Sequence, residues 1–541
     1  MTAFLYGLGA IVVFLLLLLR ALINDGRAQK QLPPGPRGLP ILGNVLQLSA
    51  ASKLWLTFDQ LKHEYGPIVY LNMAGQHIVV LNTKVAATEL LERRSAIYSD
   101  RAKCVVPEHL GSLLTVPFAR YGKLWQNLRR ASHAVLNARV SAQYQPVQTD
   151  EAIILAHGLL YDTSVPLLLK IHRSASTIIS VVYGKRSLSS LESETPDQTS
   201  LDARGLHITN DPLETLSNIA HRFTSALHPG AHIVEVLPIL DYLPEVMAKW
   251  KRDARRDFQK ISGIFQKYFD DAVRDEHERS SLCVSLADGK VASGLTNIQK
   301  AWVAGSITVA AVETTSNTLS YFLYAMILHP GIQEEAQKEL DRVIGRSRNP
   351  TFADIPDLPY VRAIVKELLR WQPAIPLAVP HISTEDDWYE GYFIPKGTQC
   401  IPNIWSMNRD KEVYGADADK FLPERFLRKS KEETGSKFVL REEYEVEDGH
   451  CSYGFGRRVC VGRHVADNAL LINICTILWA LRIESKTPLV SLARDAQEKQ
   501  SKDMINPIPD FQCHFHPRFP EAESLLRSLR DDVVQGRSSI S

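Results

Sequence analysis

The segment from residue 301 to residue 328 constrains the fold more than any other, because Glu313 is its only charged residue. A membrane-spanning helix is one interpretation of such a stretch. However, the segment carries many hydroxyl and amide side chains, which a lipid-facing helix disfavours. These are Ser306, Thr308, Thr314, Thr315, Ser316, Asn317, Thr318 and Ser320. A helix of about 33 residues is about 50 Å long, the width of a large domain. We therefore predict a long helix in the core of one large, mainly helical domain.

Shorter patterns along the chain predict a mainly α fold with a small β region. Hydrophobic periodicity predicts helices over 120–137, 248–280, 296–329, 331–345, 358–371 and 464–481. Residues 68–82 predict a β-hairpin with Ala74-Gly75-Gln76 at its turn. Short strands are expected over 377–403, and short strands and loops over 484–517. Residues 518–541 are polar, and we expect a loose tail with at most a short helix near 521–533.

Residues 1–24 are predicted to form a single transmembrane anchor. Residues 3–19 carry no charge, and with the next residues they approach the length of about 20 residues that spans a bilayer. A cleaved signal peptide is the alternative, but no basic residue precedes the apolar run and no small-residue cleavage pattern follows it. Four basic residues after the run favour a cytosolic position for the rest of the chain: Arg20, Arg27, Lys30 and Arg37. Residues 25–40 form a basic, proline-rich hinge, because three prolines exclude a helix there, and 41–517 form the main domain.

Charge and cysteine content exclude several classes of protein. The 62 Lys and Arg residues nearly balance the 61 Asp and Glu residues, so no overall field attracts nucleic acid. The seven cysteines are scattered and include no CxxC pair, which disfavours a zinc ribbon or a thioredoxin-type site. Their odd number and low density suit free thiols in a reducing compartment. Any functional cysteine must therefore be identified from its neighbours.

One cysteine has distinctive neighbours, in the segment Tyr453-Gly-Phe-Gly-Arg-Arg-Val-Cys-Val-Gly462. The glycines at 454, 456 and 462 permit positive φ and a close approach of the backbone to a flat ligand. Inward-facing amides and the N-terminus of the following helix would stabilise a thiolate at Cys460. Arg458 supplies a cation for a carboxylate. A buried cysteine is usually only a structural thiol, but this spacing favours a ligand sulfur.

The segment resembles the haem-binding loop of the cytochrome P-450 superfamily, whose pattern is F-x-x-G-x-R-x-C-x-G. The matching positions are Gly456, Arg458, Cys460 and Gly462. Tyr453 stands where the family has Phe, and Val461 where many members have Pro. The tyrosine keeps the ring but adds a hydroxyl that needs a partner. The resemblance implies that Cys460 is the axial thiolate ligand of haem b, and that Gly454, Gly456, Arg458 and Gly462 bind the cofactor.

Further motifs follow in the order of that family. Glu367 and Arg370 share a helix face at i, i+3, and the segment Phe421-Leu-Pro-Glu-Arg-Phe426 follows. The family's buried network then implies a structural cluster of Glu367, Arg370 and Arg425. The pairs Glu276–Arg279 and Glu339–Arg342 have the same spacing, and we expect both to be solvated surface pairs.

The resemblance also assigns cofactor and catalytic residues outside the loop. Trp125 and Arg129, at i, i+4, would bind the haem propionates, with a core tryptophan beside a surface arginine as the alternative. His381 stands where the family often has a propionate-binding residue. Glu313 and Thr314 would deliver protons to the reacting oxygen, although a helical threonine usually bonds the carbonyl four residues before it.

The resemblance implies a monooxygenase that acts on a hydrophobic small molecule with O2. Electrons would come from NADPH through a cytochrome P-450 reductase, or from a cytochrome b-type donor. The sequence around His381 is similar to that of fungal microsomal members of the family that act in secondary metabolism, such as the O-methylsterigmatocystin oxidoreductase group. That similarity implies a single-pass protein of the endoplasmic reticulum membrane whose catalytic domain faces the cytosol. A haem-thiolate isomerase or dehydratase and a non-catalytic membrane haem sensor or carrier are the alternatives.

The substrate pocket is expected, by the same analogy, to be largely apolar. Its segments would be 104–118, 205–243, 304–314, 374–379 and 504–508. No acidic or basic cluster in these segments indicates a charged ligand. The resemblance covers almost the whole chain, from the proline hinge to about residue 515.

Overall fold

The structure is a computed structural model of the chain. It describes residues 31–536 except for 50, 162–166, 168–170, 172–175, 185–207, 210, 228–230, 237, 276–280, 431–437, 487–503, 507 and 509–510. The predicted anchor over 1–24 lies outside the described residues, as do the first residues of the hinge and the pair Glu276–Arg279. Within the described ranges, no helix is both long and apolar enough to cross a membrane.

The chain divides into two compact units. The sheet unit comprises the residues up to 102, 376–410 and 454–459, and the helical unit comprises 103–375, 411–453 and the residues from 460 onward. Among the described residues of the sheet unit, the longest helix is α1, Leu54–Tyr65. Its strands are β1 Ile68–Met73, β2 Gln76–Leu81, β3 His381–Ile382, β4 Asp387–Tyr389, β5 Tyr392–Ile394 and β6 Gln399–Pro402. Its short helices are Val45–Ser49, Lys84–Ala87, Thr88–Arg93 (a π-helix), Ser95–Tyr98, Ile404–Met407 and Gly456–Arg458 (3-10).

The predicted hairpin is confirmed. β1 and β2 pair antiparallel from Ile68 opposite Leu81 to Met73 opposite Gln76. Ala74 and Gly75, both with positive φ, form a two-residue turn, the type that matches the twist of the two strands. β6 then pairs parallel to β2 and antiparallel to β3, which gives the order β1-β2-β6-β3. β4 and β5 form a separate hairpin, so the strands expected over 377–403 are present.

The helical unit contains ten helices of eight or more residues in its described part. They are α2 Lys123–Leu136, α3 Gln145–Tyr161, α4 Ser176–Tyr183, α5 Pro212–Leu227, α6 Lys249–Arg274, α7 Asn297–Leu328, α8 Pro330–Val343, α9 Pro359–Trp371, α10 Arg463–Ala480 and α11 Ala522–Val534. Strands β7 Leu427–Lys429 and β8 Phe438–Leu440 pair antiparallel, as do β9 Leu481–Ser485 and β10 Cys513–Pro517. Its short helices are Val105–Leu110, Ser112–Leu114, Ala138–Ser141, Ala142–Tyr144, Ile233–Val236, Pro238–Tyr242, Leu282–Ala287, Ile355–Asp357, Lys411–Tyr414, Pro423–Phe426 and Glu443–Val446.

The long helix α7 is a core helix, as predicted. It begins at a capping box, in which the Thr296 hydroxyl accepts from the Gln299 N–H and the Gln299 side chain accepts from the Thr296 N–H. Its C-terminal half packs with α9 and α10 into one apolar core, and its N-terminal half packs against α6. Its hydroxyls donate to carbonyls of the same helix, as Ser316 does to Val312. This pairing lets the polar residues be buried.

Part of the polar C-terminal segment forms a helix that packs against the apolar core. The helix predicted at most as a short one is α11, and its Ala522 and Leu526 are fully buried against the same core. The loose-tail expectation is therefore wrong for this helix, because two of its three buried side chains join the core that contains Trp479 of α10.

Candidate active site

Cys460 differs from the other cysteines in its exposure. All seven cysteines lie within the described residues, and none forms a disulfide. Five are buried and Cys104 is partly buried, whereas Cys460 is exposed. Desolvation by the surrounding protein nevertheless raises the pKa of its thiol. Cys460 is thus accessible to a ligand although neighbouring protein atoms desolvate its thiol.

Positive groups near Cys460 favour its thiolate. The backbone N–H of Gly462 and the guanidinium of Arg129 oppose the desolvation that raises the pKa of the thiol, and Arg463 does the same. The Asp467 carboxylate acts in the other direction. The structure therefore brings together three residues that the sequence assigned to haem binding, Cys460, Gly462 and Arg129. Sequence reasoning missed Arg463 and Asp467, which stand on α10 beyond the motif.

The glycines of the loop have different tasks. Gly454 and Gly456 have positive φ, as predicted, whereas Gly462 has φ −89° and precedes the first residue of α10. Gly462 therefore does not use the positive φ that a glycine permits, and its contribution is its amide. A Cβ on Gly456 would lie 2.1 Å from the Leu91 carbonyl oxygen. The close approach at Gly456 is therefore made to the protein's own backbone.

Tyr453 finds the partner that its hydroxyl requires. The phenol donates a hydrogen bond of 2.5 Å to Oδ1 of Asp467, and the Tyr453 carbonyl accepts the N–H of Cys460 at 2.8 Å. Burial and the neighbouring carboxylate raise the pKa of Tyr453 well above its usual value, so the phenol stays a donor. Burial likewise raises the pKa of Asp467, to about 7.

In the sheet unit, Arg458 and His381 both contact the end of one short helix. Arg458 Nε donates to the Ser99 carbonyl at 2.8 Å, and His381 Nδ1 lies 2.7 Å from the Tyr98 carbonyl. Because a carbonyl only accepts, Nδ1 carries the proton and Nε2 faces elsewhere. Desolvation, with the charges of Arg101 and Arg458, lowers the pKa of His381 well below its usual value. His381 is therefore neutral unless an anion comes close.

Arg101 is a residue that sequence reasoning missed. Its guanidinium is buried and donates to the carbonyls of Val379 and Pro380, at 2.8 Å each. Desolvation and the charge of Arg458 lower its pKa well below the usual value, and Asp100 opposes them. Two arginines that disfavour each other in a desolvated place favour a bound anion. No motif spacing around Arg101 indicated this.

Trp125 and Arg129 lie on α2, but the structure gives the indole a protein partner. Trp125 is buried, and its Nε1–H donates to the Val116 carbonyl at 3.2 Å. This arrangement matches the core-tryptophan alternative. Arg129 is partly buried, and desolvation lowers its pKa while the charge of Cys460 raises it. Arg129 therefore belongs to the surroundings of the sulfur.

The middle of α7 is accessible, although both of its ends are buried. Ala310 is exposed, and Glu313 and Thr314 are partly exposed. The Thr314 hydroxyl donates to the Ala310 carbonyl at 2.9 Å, the usual bond of a helical threonine. Glu313 accepts a hydrogen bond of 2.6 Å from Ser217 on α5, a partner that the sequence did not reveal. The accessible middle of this core helix leaves room for a ligand beside it.

The structural cluster of Glu367, Arg370 and Arg425 is present and buried. Arg370 donates to both carboxylate oxygens of Glu367 at 2.6 and 2.8 Å, and Arg425 Nε lies 3.0 Å from each. The Leu422 N–H adds a bond of 2.7 Å. Glu367 and Arg370 have no exposed surface. A buried carboxylate needs such pairing, because an isolated buried charge is strongly destabilising.

Glu339 corrects the expectation of a solvated pair with Arg342. Its side chain is 4% exposed, and the Arg342 guanidinium lies 3.8 Å away. The carboxylate accepts the N–H groups of Tyr360 and Val361 at 3.0 to 3.1 Å. Glu339 thus caps the N-terminus of α9, because the first amides of a helix lack partners within it. The sequence spacing could not reveal this, since α9 lies after a separate turn.

Each unit contains chemistry that suits haem. The helical unit has an accessible sulfur, with an amide and guanidinium groups that favour the thiolate. It also has an accessible stretch in the middle of α7. The sheet unit has Arg101 and Arg458, which favour carboxylates such as the two propionates. The helical unit therefore fits an iron bound by a cysteine, and the sheet unit fits the carboxylates that a haem carries.

Comparisons with known proteins agree with this donor set. The family model described as Cytochrome P450 matches residues 33–502. Two cytochrome P450 monooxygenases of Armillaria gallica are similar to this chain, one 41% identical over 93% of each chain and the other 39% identical over 97% of each. The cytochrome P450 monooxygenase iboC of Amanita muscaria is 36% identical over 93% of this chain and 94% of its own.

Proposed function

The chain belongs to the cytochrome P450 family and is a monooxygenase, and from this premise we propose that it oxidises a hydrophobic small molecule at a haem b bound by Cys460. The observation that carries the proposal is the accessibility of Cys460, the exposed thiol among the seven. Monooxygenases of this family use O2, a substrate and a redox partner. The isomerase, dehydratase and non-catalytic alternatives are not favoured, since the relatives are named as monooxygenases.

The bound haem would supply oxygen activation, which an electron-donating thiolate favours. Cys460 would provide the sulfur, held as thiolate by the Gly462 amide and by the positive charge of Arg129. Arg458, with Arg101, would bind the propionates. His381 would join them by taking up a proton at Nε2, which a nearby carboxylate favours. Trp125 could bind a propionate only if its indole N–H released the Val116 carbonyl.

Glu313 and Thr314 would move protons at the accessible middle of α7. The carboxylate of Glu313 can take up a proton and pass it on, and the Thr314 hydroxyl can accept through its lone pairs while it donates to Ala310. The carbon that is oxidised would belong to a substrate that is bound by apolar contacts. We propose a metabolite of fungal secondary metabolism, because the similarity of the sequence around His381 points to that group. NADPH–cytochrome P-450 reductase would deliver the electrons.

The decisive experiment replaces the proposed ligand. In Cys460→His, the red-shifted Soret band of the ferrous–CO complex, which thiolate ligation produces, should disappear. Cys451→Ser is the matched control, because Cys451 lies in the same region but is buried. Survival of the band in Cys460→His, or its loss in Cys451→Ser, would contradict the assignment. A screen of hydrophobic metabolites for a haem spin-state shift would then identify the substrate class.

We also propose that the protein is attached to the endoplasmic reticulum membrane. The apolar run over 3–19 supports an anchor. A second feature is an apolar surface in the helical unit, formed by the exposed residues Ile233, Ile239, Tyr242, Val246 and Met247. Within the same segment, Asp241 accepts from His109 at 3.0 Å and pairs with Lys251 at 3.3 Å. An apolar surface of this kind suits contact with lipid.

Deletion of residues 1–30 tests the anchor. The truncated protein should leave washed membranes while its haem content stays unchanged. If it still sediments with membranes, the single-anchor proposal is wrong. Replacing Tyr242 and Val246 by serine in the truncated protein would then show whether the apolar surface is responsible.

A further inference from the structure

Tyr453 holds the ligand loop by two hydrogen bonds. Its carbonyl accepts the N–H of Cys460 at 2.8 Å, and its phenol donates to Asp467 at 2.5 Å. Asp467 stands on α10, which begins at Arg463 directly after the loop. The neighbouring Ser452 hydroxyl donates to the Leu369 carbonyl of α9 at 2.6 Å. The backbone that carries the sulfur is therefore tied to α10 through the side chain of Tyr453.

The surroundings make this tie specific to a phenol. The ring of Tyr453 packs against the apolar core and lies 5.3 Å from the His450 ring. The Asp467 carboxyl is desolvated, and the charge of Asp448 disfavours its ionised form, while Lys366 and Arg463 favour it. The Tyr453 phenol also favours the ionised form. A phenylalanine would leave Asp467 without this donor in a place that water reaches poorly.

We propose that Tyr453 is a positioning residue for the haem thiolate, and that its hydrogen bond to Asp467 keeps a negative charge on α10, the helix that follows the ligand loop. This proposal rests on the assignment of Cys460 as the ligand. The carboxylate of Asp467 already acts on the sulfur, since its charge disfavours the thiolate. A negative charge near the ligand disfavours the uptake of an electron. The pair therefore holds the sulfur in place and lowers the reduction potential of the bound iron.

Two variants separate the hydrogen bond from the charge. Tyr453→Phe keeps the ring and removes the donor, whereas Asp467→Asn keeps an oxygen that accepts from the phenol and removes the charge. Asp275→Asn is the matched control, because it also removes one negative charge, but from an exposed side chain that is screened by solvent. All three are measured as haem-loaded protein at about pH 8, above the pKa of about 7 of Asp467.

The readouts are the ferrous–CO spectrum and the reduction potential of the iron. In Tyr453→Phe, the thiolate band should be lost several-fold faster on standing than in the parent protein. In Asp467→Asn, the band should persist and the potential should move to a more positive value than in Asp275→Asn. An unchanged rate of band loss in Tyr453→Phe, or equal potentials in the two asparagine variants, would overturn the proposal. If Tyr453→Phe does not bind haem, the two asparagine variants still decide.

The parent protein distinguishes this proposal from the proposed function. If the unaltered protein shows no thiolate band, the assignment of Cys460 has failed. If it shows the band and the variants behave as it does, only the role of Tyr453 and Asp467 has failed.

Discussion

Replacement of Glu367 by glutamine should be among the most destabilising single changes in the helical unit. The amide keeps one acceptor but turns an NH2 group towards the guanidinium groups of Arg370 and Arg425. Both cations then lose their counter-charge, in a place where Glu367 and Arg370 have no exposed surface. Breaking a buried pair by removing one partner costs about 3–5 kcal/mol.

The structure places the effect towards the lower end of that range. Arg370 keeps its bonds to the carbonyls of Ala418 and Lys420, at 2.7 and 2.9 Å. These carbonyls still compensate part of the buried charge. We therefore expect a loss of about 3 kcal/mol in the free energy of unfolding. Haem content should fall with it, since the family resemblance implies that the cluster supports the haem-binding scaffold.

The assay is guanidinium chloride unfolding of the haem-loaded protein, followed by tryptophan fluorescence and by the Soret band. Glu445→Gln is the matched control, because Glu445 pairs with Arg362 at 2.6 Å but is 47% exposed. Such an exposed pair contributes about 0–1 kcal/mol. If Glu367→Gln costs no more than Glu445→Gln, the reasoning from burial is refuted.

Three further predictions follow from single contacts. Thr314→Val should lower the product formed per NADPH and raise the hydrogen peroxide released, and an unchanged ratio would mean that its hydroxyl does not move protons. Gly456→Ala should prevent stable haem binding because its Cβ meets a backbone oxygen at 2.1 Å, whereas Gly454→Ala, which faces open space, should cost only about 1–2 kcal/mol from its positive φ. Glu339→Gln should cost about 1–2 kcal/mol in unfolding experiments, since the first amides of α9 lose a charged acceptor; no measurable loss would contradict the cap.

Local patterns predicted local structure well. The hairpin at 68–82 follows from alternating apolar residues and an Ala-Gly turn, all within one short segment. Likewise, the helix predicted over 296–329 is Asn297–Leu328, because its cap, Thr296 with Gln299, and its apolar run are adjacent in the sequence. These features need no knowledge of the rest of the chain, since the hydrogen bonds involved join residues close in sequence.

Spacing was a poorer guide to the partners of charged side chains. The pairs Glu367–Arg370 and Glu339–Arg342 look alike in the sequence, yet both carboxylates are buried for different reasons. Glu367 is surrounded by guanidinium groups, and Glu339 on α8 faces the first amides of the next long helix, α9. An i, i+3 spacing describes one helix face and says nothing about what packs against it.

The sequence by itself determined the mainly helical class, the long core helix and the loop around Cys460, because periodicity, capping and motif spacing are properties of contiguous residues. The tertiary structure decided which groups surround the sulfur and which polar atoms are satisfied. Asp467 as the partner of Tyr453, Ser217 as the partner of Glu313 and the burial of Arg101 all depend on packing between distant segments. A buried polar group must find its partner within the protein, and only the packing of the elements determines which partner lies within reach.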